Sequence, residues 1–132
     1  MVDIQNKLFT ALAIPLREQF PGILVVTALN PSAAQFPCVQ IEEVSNVPVY
    51  EDTADRTRYA RLTYRLDIYS NSKDGKVQEA RKILAAIDDI LEPLNMRRTG
   101  FSPSNGLFNN TVYLISASYS VTADEDGKLY RY

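Results

Sequence analysis

Residues 58–94 constrain this chain more than any other stretch, because they join a period-two segment to a period-3.6 segment through a short polar turn. In RYARLTYRLDIYS, Ala60, Leu62, Tyr64, Leu66 and Ile68 fall on one side of an extended backbone, and Arg61, Thr63, Arg65 and Asp67 on the other. That alternation marks a strand with one buried face. After the turn NSKDGK, Val77, Ala80, Ile83, Leu84, Ile87, Leu91 and Leu94 recur every three or four residues and gather into one stripe of an amphipathic helix. Both apolar surfaces are buried together only if the helix lies on the sheet. Asp74 is placed to cap that helix, and Gly75 to relax the backbone before it.

The flanking segments fill out the same architecture. Ile4, Leu8, Leu12, Leu16 and Phe20 are four residues apart and predict a first helix over residues 3–20, which Pro15 is expected to kink or divide near Ile14. The β-branched run 23–29 and a second run around 38–44 read as two strands of an early hairpin. Residues 46–57 lack a clear period and read as an exposed loop or arm carrying Val47, Val49 and Tyr50. Residues 96–101 predict a short strand, SPSNGLFNN a turn, and residues 111–123 a long strand. That strand sets Tyr113, Ile115, Ala117, Tyr119 and Val121 against Val112, Leu114, Ser116, Ser118, Ser120 and Thr122. The tail 124–132 pairs as a last short strand or stays mobile. The order α-β-β-β-α-β-β predicts one α+β domain over residues 1–132, a mostly antiparallel sheet with two helices packed on one face.

Composition removes several classes of function. With 132 residues and 45% hydrophobic content the chain suits a single core. A net charge of -2 gives no global field for nucleic acid. Histidine is absent, and with it the usual neutral-pH base and the commonest metal ligand. Cys38, the single cysteine, sits in an apolar run and reads as a small buried hydrophobe. No apolar run approaches the roughly 18 residues of a membrane span, and no leader pattern is visible, so the expectation is a protein made in the cytoplasm without a membrane partner. Ser70-Asn71-Ser72-Lys73 matches a Ser-x-x-Lys pattern, but it ends a strand instead of opening a helix, and reads as a turn. The adjacent pairs Glu42-Glu43 and Asp88-Asp89 point in diverging directions on a strand or helix. Asp124-x-Asp126-Gly127 opens like a calcium loop and lacks the distal glutamate. No catalysis, metal or cofactor is expected.

Two patterns instead point to a contact surface. Residues 51–55, with Glu51, Asp52 and Asp55, are followed by Arg56, Arg58, Arg61 and Arg65. Such an acid-then-basic order suits a head-to-tail contact between subunits, intramolecular pairing, or phosphate contact; a small anion-binding domain or enzyme built on Arg58, Arg61 and Arg65 is the alternative from another class. Arg61 and Arg65 share one strand face, about 13 Å apart by strand rise. Between residues 99 and 123 no side chain is charged. The hydroxyl face of Ser116, Ser118 and Ser120 is therefore either solvated or covered by a neighbouring subunit. Val49 and Tyr50, apolar in a loop, join the same candidate surface.

The segment RLTYRLDIYSNSKDGKVQEARKILAAIDDIL, with MRRTGF and NTVYLISASYSVTAD after it, resembles the tail terminators and related neck or tail-completion proteins of long-tailed bacteriophages. The likeness rests on a strand ending in Tyr69-Ser70, the pair Glu79-Ala80 opening the second helix, Gly100-Phe101 after it, and a last tyrosine-bearing strand. It implies a structural virion subunit, assembled in the bacterial host cytoplasm, that forms a homo-hexameric ring. The ring would cap the tail tube protein, end tube growth and meet the head-tail connector proteins, with DNA passing through its lumen without sequence-specific binding. A head-side neck or stopper protein is the nearest alternative. The same likeness places an arm toward the tube or a neighbouring subunit at residues 47–56.

Overall fold

The computed structural model describes residues 1–27, 36–49, 59–71, 75–105 and 112–130, without the side chains of residues 104 and 105. Its elements are α1 (Gln5–Gln19), β1 (Leu24–Val26), β2 (Cys38–Val49), β3 (Tyr59–Ser70), α2 (Lys76–Leu91) with a 3-10 turn (Glu92–Leu94), β4 (Arg97–Asn105), β5 (Tyr113–Asp124) and β6 (Leu129–Tyr130). The strands form one six-stranded sheet in the order β1-β2-β3-β5-β4, with β6 on β5. Among the described residues only β1 and β2 are parallel; the remaining pairs are antiparallel. This is the expected α+β fold, in the expected element order.

The β3–α2 unit follows its periodicities. Leu62, Tyr64, Leu66 and Ile68 are fully buried in one cluster with Leu8, Leu12 and Leu16 of α1, Ile83 and Ile87 of α2, and Ile115, Ala117 and Tyr119 of β5. Both helices therefore cover the same face of the sheet. At the junction, Ser70 Oγ donates to Glu79 Oε1 at 2.6 Å, which ties the strand end to the first turn of α2. Gly75 stands at the helix start with φ of 147°, a conformation that side chains rarely adopt; an added Cβ would also lie 3.1 Å from Gln78 Oε1. Asp74, the expected cap, lies outside the described residues. Val77 leaves the stripe and is 38% exposed, because it sits in the first turn, beyond the buried stripe that begins at Ala80.

Four sequence expectations are corrected. The early hairpin is absent: β1 and β2 are parallel, a relation that a tight turn cannot provide and that the long connection of residues 27–37 permits. The strand read as ending near residue 44 continues to Val49, so residues 46–49 are strand and not loop. A register shift between Glu43 and Ser45 makes Val44 an extra residue. The inward set thus changes from Val39, Ile41 and Glu43 to Asn46 and Pro48, opposite Leu62 and Ala60, and a bulge that reverses phase erases the period. Helix α1 runs unbroken through Pro15. The ring costs about 3 kcal/mol or more, and burial of Leu8, Leu12 and Leu16, about 1.5–3 kcal/mol each, outweighs it. Finally, β4 continues past Phe101 to Asn105, where the neighbouring β5 backbone supplies its partners.

The tail to residue 130 pairs. Asp124 accepts hydrogen bonds from the backbone N–H groups of Asp126 and Lys128 and from the Tyr130 hydroxyl, at 2.9–3.0 Å. Lys7 Nζ of α1 donates to the Gly127 carbonyl at 2.7 Å, and Tyr130 meets Tyr59 edge to face at 5.6 Å.

Candidate functional site

The face of the sheet turned away from the helices holds most of the described candidate residues. Along β3, its register places Tyr69 between Cys38 and Leu114, Asp67 between Gln40 and Ser116, Arg65 between Glu42 and Ser118, Thr63 between Ser45 and Ser120, and Arg61 between Val47 and Thr122. The face is therefore graded. At one end Cys38, Tyr69, Val112 and Leu114 are buried and pack with Leu24, Val26 and Phe36. At the other end Val47 is 53% exposed, beside exposed Arg61.

Between those ends the charges are compensated within the chain. The Arg65 guanidinium pairs with Glu42 across the β2–β3 ladder and lies 3.5 Å from Asp67. Ser116 Oγ donates to Asp67 Oδ1 at 2.6 Å, and the Thr63 and Ser120 hydroxyls are 3.1 Å apart. Of the arrangements open to Arg65, intramolecular pairing is the one formed, and its partner is Glu42 rather than residues 51–55. Ser118 is half-buried opposite Arg65, and Val49 half-buried opposite Tyr59. Tyr50, Glu51, Asp52, Asp55, Arg56 and Arg58 lie outside the described residues.

A second cluster, which the sequence pattern did not single out as a site, occupies the β4 edge. Phe101 is 42% exposed, with the guanidinium groups of Arg98 and Arg81 at 5.2 and 5.8 Å from its ring centroid. Beside it a cleft of about 550 Å³ is lined by Asp88, Glu92, Asn95, Met96, Arg97, Arg98 and Tyr119. Asp88 is shared: it accepts from the Tyr119 hydroxyl at 2.5 Å and lies 3.5 Å from Arg98. The signal available in the sequence was the adjacent Arg97-Arg98 followed closely by Phe101, but only the α2–β4 packing brings Arg81 to them.

Burial sets the protonation of the chain's weak acids. It pushes the Cys38 thiol up to about 11, far from a reactive thiolate. Burial, reinforced by Asp88, holds the Tyr119 hydroxyl well above its ordinary value, and burial with Glu43 does the same for Tyr64. These phenols are donors to carboxylates, not acids poised near neutral pH. Among the described residues no group of three or more Cys, Asp or Glu side chains is arranged to hold a metal ion, and no helix is long and apolar enough to cross a membrane. What both clusters offer is contact chemistry: hydroxyls, fixed guanidinium groups and exposed apolar side chains.

No protein-family model matches the chain, and no curated protein matches it. A solved structure that bears only a serial label is similar over 98% of this chain and 99% of its own, with a TM-score of 0.51 at 14% sequence identity. That likeness extends the shared fold over nearly the full length of both chains and speaks to fold alone.

Proposed function

We propose that this chain is a structural subunit of a bacteriophage tail terminator, a ring that caps the tail tube, ends its growth and meets the head-tail connector. The observation that carries the reading is the two-sided sheet. Helices cover one face, whereas the polar half of the other offers neutral hydroxyls, an internally neutralised Arg65 and an exposed Val47. The hydroxyls and Val47 carry no charge to desolvate when a partner covers them, and Arg65 keeps Glu42 and Asp67 as partners once water is removed. The sequence likeness in the β3–α2 unit and in β5 supports the same reading. On it, the open face docks on the tube or connector, and the β4 edge remains for neighbouring subunits.

The test is assembly. Purified protein is mixed with tail tubes of defined length and with isolated connectors, and bound mass is followed by sedimentation together with native mass spectrometry. Rings at the ends of tubes support the terminator reading. Binding to connectors alone transfers the assignment to a head-side neck protein, and failure to bind either removes both.

A further inference from the structure

We propose that residues 41–45 of β2 pair antiparallel with residues 97–101 of β4 in a second copy of this chain, so that one sheet runs on from subunit to subunit. The proposal deepens the ring reading and rests on it, since it names the strands through which neighbouring subunits meet.

The two edges of the sheet are open over the same stretch. β1 covers β2 only at residues 38–40, so from residue 41 onward the outer edge of β2 has no partner strand among the described residues, and β4 ends the strand order on the opposite side. Such edges present backbone N–H and C=O groups to any strand that fits. The register carries a level from one edge to the other. Ile41 is opposite Leu66, Leu66 opposite Ala117, and Ala117 opposite Phe101; Ser45 leads through Thr63 and Ser120 to Arg97. Each stretch holds one extra residue, Val44 in β2 and Thr99 in β4, so the two are equal in length. Three antiparallel pairings separate β2 from β4, which therefore run in opposite directions. Rotation about an axis parallel to the strands preserves level and direction, and brings β2 of one copy antiparallel and in register against β4 of the next.

The stretch has natural limits. Pro103 is level with Val39, where β1 already occupies the edge of β2. Pro48 is level with Ala123, where β6 flanks β5 in place of β4. Prolines cannot donate to a ladder, and both lie just outside the paired residues.

Side chains select a second copy as the occupant. Val44 and Phe101, 47% and 42% exposed, are apolar groups that folding of one subunit leaves in water, and the seam covers both. Glu43 and Arg98 are level with one another on the helix side of the sheet. Glu42 and Arg97 share the open face as diagonal neighbours, a spacing that long side chains span. Acids on one edge and arginines on the other favour head-to-tail pairing and disfavour either edge meeting its own kind.

The experiment is register-specific cross-linking of the full chain. Within one subunit β2 and β4 are three strand spacings apart, about 14 Å, beyond the roughly 7 Å between Cα atoms that a disulfide tolerates. A bridge between them therefore joins two copies, and Cys38, with no exposure, does not compete. Under mild oxidation, in free solution and on tail tubes, Ser45→Cys with Arg97→Cys should give a ladder of covalent oligomers ending at a closed ring. Ser45→Cys with Ser102→Cys, displaced about 13 Å along β4, should remain monomeric on a non-reducing gel. Val44→Lys, which sets a cation against Arg97 and Arg98, should weaken wild-type self-association by about tenfold or more in sedimentation equilibrium while the melting temperature holds. A ladder from the in-register pair alone supports the seam. No ladder under either condition, equal ladders from both pairs, or unchanged association in a folded Val44→Lys subunit overturns it. Tube binding is scored separately: a ladder in solution from a subunit that ignores tubes keeps this contact and removes the proposed function, and capped tubes without a ladder do the reverse.

Discussion

The two faces of the sheet are made by the same strands and the same alternation, yet they end in different states. Toward the helices, β3 and β5 present Leu62, Leu66, Ile68, Ile115, Ala117 and Val121, all fully buried. Even the tyrosines there are core residues with one polar end, Tyr64 reaching Glu43 at 3.0 Å and Tyr119 reaching Asp88 at 2.5 Å. On the other face, side chains from the same strands settle their charges laterally, Arg65 with Glu42 and Ser116 with Asp67. Alternation decides which side chains share a face. Whether that face becomes core depends on what covers it, and two helices cover one side.

The largest effect should come from the covered face. Leu66→Ala, at a site with no exposure, is expected to cost about 2–5 kcal/mol in urea unfolding, whereas Thr63→Ala, on the opposite face of the same strand, should stay within about 1.5 kcal/mol, the worth of one hydroxyl hydrogen bond. Equal costs would erase the distinction between the faces. High pH provides the next contrast, because it tests whether the apolar end of the open face behaves as core. The folded Cys38 thiol is raised to about 11 from 9.0 by burial, so the unfolded chain loses its proton first. The contribution of Cys38 should be constant well below pH 9 and be lost between pH 9 and 11, with a slope of at most about 1.4 kcal/mol per pH unit; above pH 10 the raised phenols of Tyr64, Tyr69 and Tyr119 add to the loss. Cys38→Ala should flatten the profile between pH 9 and 10 and leave the steeper loss above pH 10, which belongs to the tyrosines. A smaller effect, about 1 kcal/mol, is expected for Tyr119→Phe, which takes one donor from Asp88 and leaves Arg98 beside it.

The β3–α2 unit was legible because nothing interrupts either period between Ala60 and Ile68 or between Ala80 and Leu91. The neighbouring β2 was not, since Val44 adds one residue and turns the inward set from odd to even positions. Nor could a local pattern reveal that β1 runs parallel to β2, because strand direction depends on where the connection returns. The candidate surface was legible in part. Arg65 and the Ser116–Ser118–Ser120 row do share one face, but the partnership of Arg65 with Glu42 follows from a register 23 residues apart in sequence. The meeting of Arg81 with Phe101 required the packing of a helix on an edge strand. Alternation shows direction, and register shows company.

The smallest effect on stability separates the open face most sharply from the covered one. Val47 is a strand residue opposite Arg61, 53% exposed, so the folded subunit gains little from its isopropyl group. Val47→Thr keeps the β-branched shape and should change unfolding free energy by no more than about 0.5 kcal/mol. Val47→Glu should also leave the subunit folded, since its carboxylate remains in water and faces a cross-strand arginine. If the polar half of this face docks on a tube, that carboxylate must be desolvated in the complex, at a cost of about 2 kcal/mol or more, and tube binding should fall by at least about tenfold while the melting temperature holds. Sedimentation with tail tubes and a thermal melt on the same preparation decide the matter. A Val47→Glu subunit that binds tubes like the wild type would leave the open face as a solvated surface and move the contact elsewhere.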